Sequence, residues 1–441
     1  MAKIIPFKGI LYNREKVNDL SKVVAPPYDV ISKQEQENFY DSHPNNIIRL
    51  ILGKKSNNDT DSDNRYTRAA GFFNDWVSKG ILLRDKSPAL YFTAVDFSVE
   101  NKTVTRFGII TLVEIEPFEK GIVLPHERTF SRVKSERLEL MKTCHTNFSP
   151  IFSLYSDQNI ILNLLKDAAF KNKTDIDIVD GKGQRHRMWR ITDTAICRNI
   201  MDDMKGKSLF IADGHHRYET ALNYRNWVSG NTNDFTADHP ANYIMMYLCS
   251  MEDPGLVILP AHRMLTAIED SKRFLFIEKA KEYFDITTIP FKEKEHENAQ
   301  AEFLLSLKKD SSTSTIGVFM KDRSEFYVLT LKANVMEMFA DELSESLRSL
   351  DVIVLTRLIF MELLGFDNTA LDNEKIISYS SIEKDAINTV ASKKCDIAFI
   401  LNPTKIDQVR KVAKEGLTMP RKSTYFYPKV ITGLVQNSLL P

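Results

Sequence analysis

Cysteine, net charge and long apolar runs are what this chain has least of, and each shortage excludes something. Its 441 residues include four cysteines, Cys144, Cys197, Cys249 and Cys395. Four are too sparse for a disulfide framework and none forms a C-x-x-C pair, so reduced, mostly buried thiols are expected. Lysine plus arginine number 59, as do aspartate plus glutamate, which leaves a formal net charge of zero. No global positive field is available to hold a nucleic-acid backbone, so any basic site must be local. No apolar stretch approaches the roughly 18 residues that span a bilayer. The opening MAKIIPFKGILYNREK meets charge again at Arg14, which is early for the apolar region of a signal peptide, and a cytosolic protein is expected.

What is present is ordinary in bulk: 43% hydrophobic and 27% charged residues suit a soluble globular chain of two to four packed units. Four segments are expected: residues 1–120 as a mixed α/β region, 121–265 as the core that carries most of the unusual residues, 266–345 as an α/β subdomain, and 346–441 as a C-terminal α/β region with a basic-aromatic tail. Ser32 with Glu35 reads as a capping box before a polar helix. ALYFTAVDFSV and RFGIITLVEI read as antiparallel strands across a turn at Glu100 to Lys102, and DIDIVDGKGQRHRMWRI as a hairpin around Gly181 and Gly183. That second G-x-G has no helix behind it, so it is not a dinucleotide loop. The fold class is therefore mixed α/β.

Chemistry concentrates in IADGHHRYETAL, residues 211–222. SLFIA is strand-like, Asp213 and Gly214 form a turn, and the following helix carries Tyr218, Ala221, Leu222 and Arg225 on one stripe. A strand-to-helix junction gathers backbone N–H groups and the positive end of the helix dipole, which is where anions bind. Gly214 would let backbone approach the anion, and Arg217 would offer a planar fork to two phosphate oxygens. His215 and His216 point about 100° apart, so one can face a ligand while the other packs. Cationic side chains crowd a helix N-terminus where the dipole disfavours them, and an anion would relieve that conflict. The alternative is a plain helix cap by Asp213 with satisfied histidines.

The turn GHHR with Tyr218, Glu219, Thr220 and Ala221 resembles the phosphate-binding motif of the ParB and sulfiredoxin superfamily, in which Gly-x-x-Arg opens a helix and holds nucleotide phosphates. More broadly, VVAPPYDVIS, LPHERTF with SERLELMKT and NFSPIFSLY, LFIADGHHRYETAL, GLVILPAHRML and MPRKSTYFYPK together resemble the bacterial family called domain of unknown function 1015. The resemblance implies a ParB/sulfiredoxin-like phosphate-binding core with additional α/β subdomains. By analogy to free-serine kinases in that superfamily, it also implies a link to serine or phosphoserine metabolism.

Other motifs are weighed against plainer readings. In LPHERTF, His126 and Glu127 do not complete H-E-x-x-H because residue 130 is Phe. Glu127 is a candidate base toward a substrate hydroxyl, or else an ion-pair partner of Arg128, Arg132 or Arg137. The prolines of VAPPYDV fix the direction of Tyr28 and Asp29 as substrate contacts, with Asp29 and Asp213 as candidate Mg²⁺ ligands. The plainer reading there is a rigid turn. His262 and Arg263 make a second anion candidate, set against a surface ion pair. The tail brings Lys422 toward the phosphate ligand, and Arg185, His186 and Arg187 read as a solvated strand face.

The leading expectation is a phosphotransferase that binds ATP or ADP at Gly214, His215 and Arg217 with Lys422, and uses Mg²⁺. Catalysis would fall to Glu127, Asp213 and His216, and substrate contacts to Tyr28, Asp29, His126, His262 and Arg263. The alternatives are a nucleotide-switched DNA-binding regulator, for which no helix-turn-helix with a basic face is found, and a hydrolase of phosphoserine or nucleotide. Expected partners are a small-molecule substrate and a nucleotide, with a homodimer left open and neither nucleic acid nor membrane anticipated.

Overall fold

The hairpin read in the first third forms as strands Leu90–Val99 and Lys102–Glu114, in register from Tyr91 opposite Ile110 to Val99 opposite Lys102. Glu100 and Asn101 take φ of 49° and 62°, the turn geometry whose twist matches that of the strands it joins. These strands lie inside a nine-stranded sheet of the computed structural model. The structure describes residues 2–127, 131–308 and 313–440, without the side chains of 131–134 and 293. It is mixed α/β throughout.

The chain divides into two units. The first comprises Met1–Pro125, Thr129–Val257 and Phe426–Pro441, and the second His126–Arg128 and Ile258–Tyr425. In the first unit the sheet runs Val123–Leu124, Leu209–Asp213, Ile151–Tyr155, Tyr243–Ser250, Lys102–Glu114, Leu90–Val99, Arg185–Ile191, Ile176–Val179, with Ile4–Ile5 on Lys102–Glu114. Leu90, Phe92 and Ala94 alternate into one apolar core with Ile109, Val113, Leu209, Ile211 and Tyr218. Sequence segments 1–120 and 121–265 thus share a single sheet. A strand's neighbour in a sheet need not be its neighbour in the chain, and four segments read in order cannot show that.

The second unit has a six-stranded antiparallel sheet in the order Phe284–Pro290, Glu325–Leu331, Thr315–Met320, Ile397–Ile400, His262–Leu265, Ile377–Ser380. Alternation covers both of its faces. Ile316, Val318 and Met320 enter one core, while Phe319 enters another with Phe303 and Ala386. A single α-helical turn, Asp351–Ile353, runs into a π-helical stretch, Val354–Leu363.

The capping box at Ser32 and Glu35 is present at the start of helix Lys33–Ser42, and all four cysteines are free and buried. The strand face at 185–187 is less solvated than its sequence suggests. His186 is buried and faces the Asp180 carboxylate at 3.1 Å, while Arg185 and Arg187 pair with Asp177 and Asp96. Among the described residues no helix is long and apolar enough to cross a membrane.

Candidate functional site

Strand Leu209–Asp213 ends where helix His215–Asn231 begins, and Gly214 makes the turn at φ 97°. The register against strand Ile151–Tyr155 is irregular between Ile211 and Asp213. Strict alternation would aim Asp213 at the face of Leu209 and Ile211, which is apolar core. A bulge re-aims the side chain that follows it, and the carboxylate is delivered to the turn instead. Tyr218, fully buried, fixes the start of the helix: its hydroxyl donates to the Glu116 carbonyl at 2.7 Å and accepts from the Glu116 N–H at 2.9 Å.

Asp213 is the hub. One oxygen accepts from Arg217 and the other from Lys429, with side chains only 11–13% exposed. Burial alone would raise the Asp213 pKa, but Lys429 and Arg217 outweigh it, with help from His215, and hold the carboxyl well below the ordinary range. Arg217 also donates to the Pro150 carbonyl. Its guanidinium lies over Gly214, where an added Cβ would sit 2.8 Å from Nε and 2.9 Å from Cζ. The missing side chain of Gly214 therefore makes room for Arg217. His215 is buried and His216 half-buried, as the divergence of adjacent first-turn residues requires.

A cavity of about 50 Å³ adjoins this turn, lined by Tyr28, Arg137, Thr146, Asn147, Ser149 and Arg217 among others. Arg137 is 9% exposed, donates to the Ile51 carbonyl at 2.7 Å and lies 4.0 Å above the Tyr28 ring. Burial pushes the Tyr28 hydroxyl up to about 12, so it stays a neutral phenol. Asp29 is exposed in the short turn Tyr28–Val30. As Mg²⁺ ligands the two aspartates do not fit: both oxygens of Asp213 face cations, Asp29 is in solvent, and among the described residues no group of three or more His, Cys, Asp or Glu could hold a metal.

The remaining sequence candidates lie in the second unit, where Glu127, His126 and Arg263 converge on one turn. Glu127 Oε1 accepts from the backbone N–H groups of Ser423 and Thr424 at 3.2 and 3.4 Å. His126 Nε2 meets Thr424 Oγ1 at 3.0 Å, and the His126 carbonyl accepts from Met419 N–H at 2.7 Å. Arg263 donates to the carbonyls of Arg421 and Lys422, each at 3.5 Å, and to that of Ala261 at 3.0 Å. At 2% exposure Arg263 is no surface ion pair. Lys422 is exposed at φ 54°. His262 is fully buried, accepts from Leu401 N–H at 3.1 Å, and is pushed down to about 4 by burial and the nearby Arg263 charge. Of the ion-pair partners considered for Glu127, Arg128 and the Arg132 side chain lie outside the described residues, and Arg137 donates elsewhere.

The sequence matches, over residues 4–353, the family described as Protein of unknown function (DUF1015). The chain belongs to that family. No curated protein matches it. Among solved structures it is similar to a mutant free serine kinase in complex with ADP, at 11% identity and TM-score 0.33 over 72% of this chain and 87% of that one. It is also similar to a conserved hypothetical protein from Pyrococcus furiosus, at 12% identity and TM-score 0.36 over 75% and 95%. A third is C-terminally truncated SbnI from Staphylococcus aureus, at 8% and 0.34 over 74% and 86%. Scores at this level leave the function of this DUF1015 member to its own residues.

Three of those residues were not placed at this site by the sequence reading. Lys429, seven positions beyond the Lys422 that was expected there, is the tail lysine that reaches the turn. Arg137 and Asn147 sit in SERLELMKT and NFSPIFSLY, whose helix and strand patterns give no sign that both face one cavity with Arg217. An arginine on the buried stripe of a helix was the available signal, because such a charge needs a partner.

Proposed function

We propose that this protein is a cytosolic enzyme that binds a nucleotide or phosphorylated metabolite at the Gly214–Arg217 turn and transfers phosphoryl to a small hydroxyl compound, with serine the first substrate to test. The ParB/sulfiredoxin-like reading of the Gly-x-x-Arg turn belongs to this proposal. One observation carries it: a single carboxylate, Asp213, faces two permanent cations, Arg217 and Lys429, at the positive end of a 17-residue helix. In these two ion pairs a pair of cations shares one carboxylate before any histidine is counted. A phosphate dianion would supply the missing charge, as it does at other helix N-termini.

The first-turn backbone N–H groups and His216 would meet the phosphate oxygens, with Arg217 and Lys429 adding charge from beside Asp213. Phosphoryl transfer asks mainly for positioning and charge stabilisation, and a held guanidinium costs little to reorganise. No step is assigned to Mg²⁺. The test has two readouts. ATP or ADP should raise the melting temperature of wild type, by mass action on the native state, and fail to do so in Arg217→Ala. Protein incubated with serine and either nucleotide should yield phosphoserine. Equal stabilisation of both proteins by nucleotide would remove the turn from the site.

A further inference from the structure

Two residues that line the cavity beside the turn carry buried donors that the protein itself leaves without acceptors. Arg137 Nε and Asn147 Nδ2 are both buried without a hydrogen-bond partner, in residues 9% and 3% exposed. Arg137 donates through Nη1 to the Ile51 carbonyl and rests on the Tyr28 ring, but no carboxylate lies within ion-pair distance among the described residues. The cavity lining includes two guanidinium groups, Arg137 and Arg217, and no acidic side chain. Leaving a buried donor unmade costs roughly 1–3 kcal/mol, and more when it is charged, and an unpaired buried cation is dearer still. Two such donors at one cavity describe the negative of a ligand with two acceptor oxygens.

Planarity chooses among the anions, since a guanidinium edge and an amide N–H match the two coplanar oxygens of a carboxylate. Asn147 is oriented for this, because its Oδ1 accepts from Asn437 Nδ2 at 3.2 Å and from Met245 N–H at 3.4 Å, which turns Nδ2 away from both.

The geometry points to Arg137 and Asn147 as the binding site for the carboxylate of a small organic acid. Taken with the proposed function, on which this clause alone rests, the acid is the hydroxyl-bearing acceptor, a hydroxy or amino acid, held by its carboxylate next to the phosphate turn. Neither residue touches the reacting atoms, so both are binding residues that set substrate class.

Isothermal titration of the full chain with L-serine, glycolate, ethanolamine and inorganic phosphate tests this. Glycolate or L-serine should bind wild type, and ethanolamine, which has the hydroxyl without the carboxylate, should not. Arg137→Gln should weaken the carboxylate ligands by about tenfold or more, as loss of a charge-assisted pair does, and leave phosphate affinity unchanged. Since Arg137→Gln alters a buried position, Asn147→Asp is the second variant. It keeps the Oδ1 acceptor and places a carboxylate opposite Arg137, so it should melt higher than wild type and lose glycolate binding. Absence of carboxylate binding to wild type, binding indifferent to both substitutions, or ethanolamine binding as well as glycolate would each overturn the inference. If carboxylates fail while nucleotide still binds in an Arg217-dependent way, the carboxylate site alone is refuted. If carboxylates bind and nucleotide does not, the phosphate turn is refuted and the acid site stands.

Discussion

Asp213→Asn isolates the charge balance on which the phosphate site depends. The substitution keeps the shape of the side chain and removes a carboxylate shared by Arg217 and Lys429, at side-chain exposures of 11% and 13% for the two cations. Removing one partner of a buried pair costs about 3–5 kcal/mol because the other charge is left buried and uncompensated. Residual exposure places this case near the lower end, about 3 kcal/mol, and the helix N-terminus adds about 0.3–1 kcal/mol of repulsion toward each cation. Urea unfolding followed by tryptophan fluorescence at pH 7 and low salt reads it cleanly. The three tryptophans, Trp76, Trp189 and Trp227, all belong to the unit that contains Asp213, so the second unit contributes nothing to the signal. Inorganic phosphate should then restore more stability to the variant than to wild type, because the vacated charge raises its affinity. Saturation at 100 times the Kd is worth about 2.7 kcal/mol. A deficit below about 1 kcal/mol, or a deficit that phosphate does not narrow beyond chloride of equal ionic strength, would refute the reasoning.

Gly214→Ala should lose about 1–3 kcal/mol, from the cost of φ 97° to an L side chain and from a Cβ 2.8 Å from Arg217 Nε; the same urea titration checks it, and a neutral outcome would mean that Arg217 moves freely. His262 has its pKa lowered from 6.5 to about 4 in the fold. The unfolded chain therefore binds the extra proton between those values, and stability present above pH 6.5 falls by about 3 kcal/mol as pH drops to 4. His262→Gln should flatten that slope in circular-dichroism melts, and the wild-type minus variant difference cancels Asp351, which burial raises to about 6 and which titrates with the opposite sign. Glu127→Gln keeps an acceptor for Ser423 and Thr424 and should melt within about 0.5 kcal/mol of wild type, whereas Glu127→Ala should cost about 1–3 kcal/mol; in the phosphoserine assay, loss of turnover in the Gln variant at full stability would give Glu127 a role as base.

Much of the fold was legible because its signals are local. The capping box at Ser32 and Glu35 and the hairpin across Glu100 and Asn101 each depend on residues within a few positions of one another. The strand-to-helix junction at Asp213 and Gly214 was legible for the same reason. What was not legible is every relation that needs the sheet order. LPHERTF reads as a candidate base or ion pair, GLVILPAHRML as a second anion site and MPRKSTYFYPK as a tail that reaches the phosphate. In the fold Glu127, His126 and Arg263 bind the backbone of one turn, Met419 to Thr424, and Arg263 satisfies carbonyls where an anion was expected. Lys429 was missed because the tail's direction is set by its register against distant strands, so a lysine seven residues from the expected one makes the contact.

The hub at Asp213 also constrains which anions the turn can accept. An incoming ligand competes with a carboxylate already bonded to both Arg217 and Lys429 and held deprotonated by them. A monoanion such as chloride offers nothing that Asp213 does not, and pays to lose its own hydration. A phosphate dianion is different, because Arg217 and Lys429 share Asp213 between them and the helix N-terminus adds about half a positive charge, so its second negative charge gains an attraction that a monoanion forgoes. Asp213 therefore serves two ends at once. It keeps the cations from repelling one another when no ligand is bound, and it raises the threshold of charge that a ligand must carry to bind.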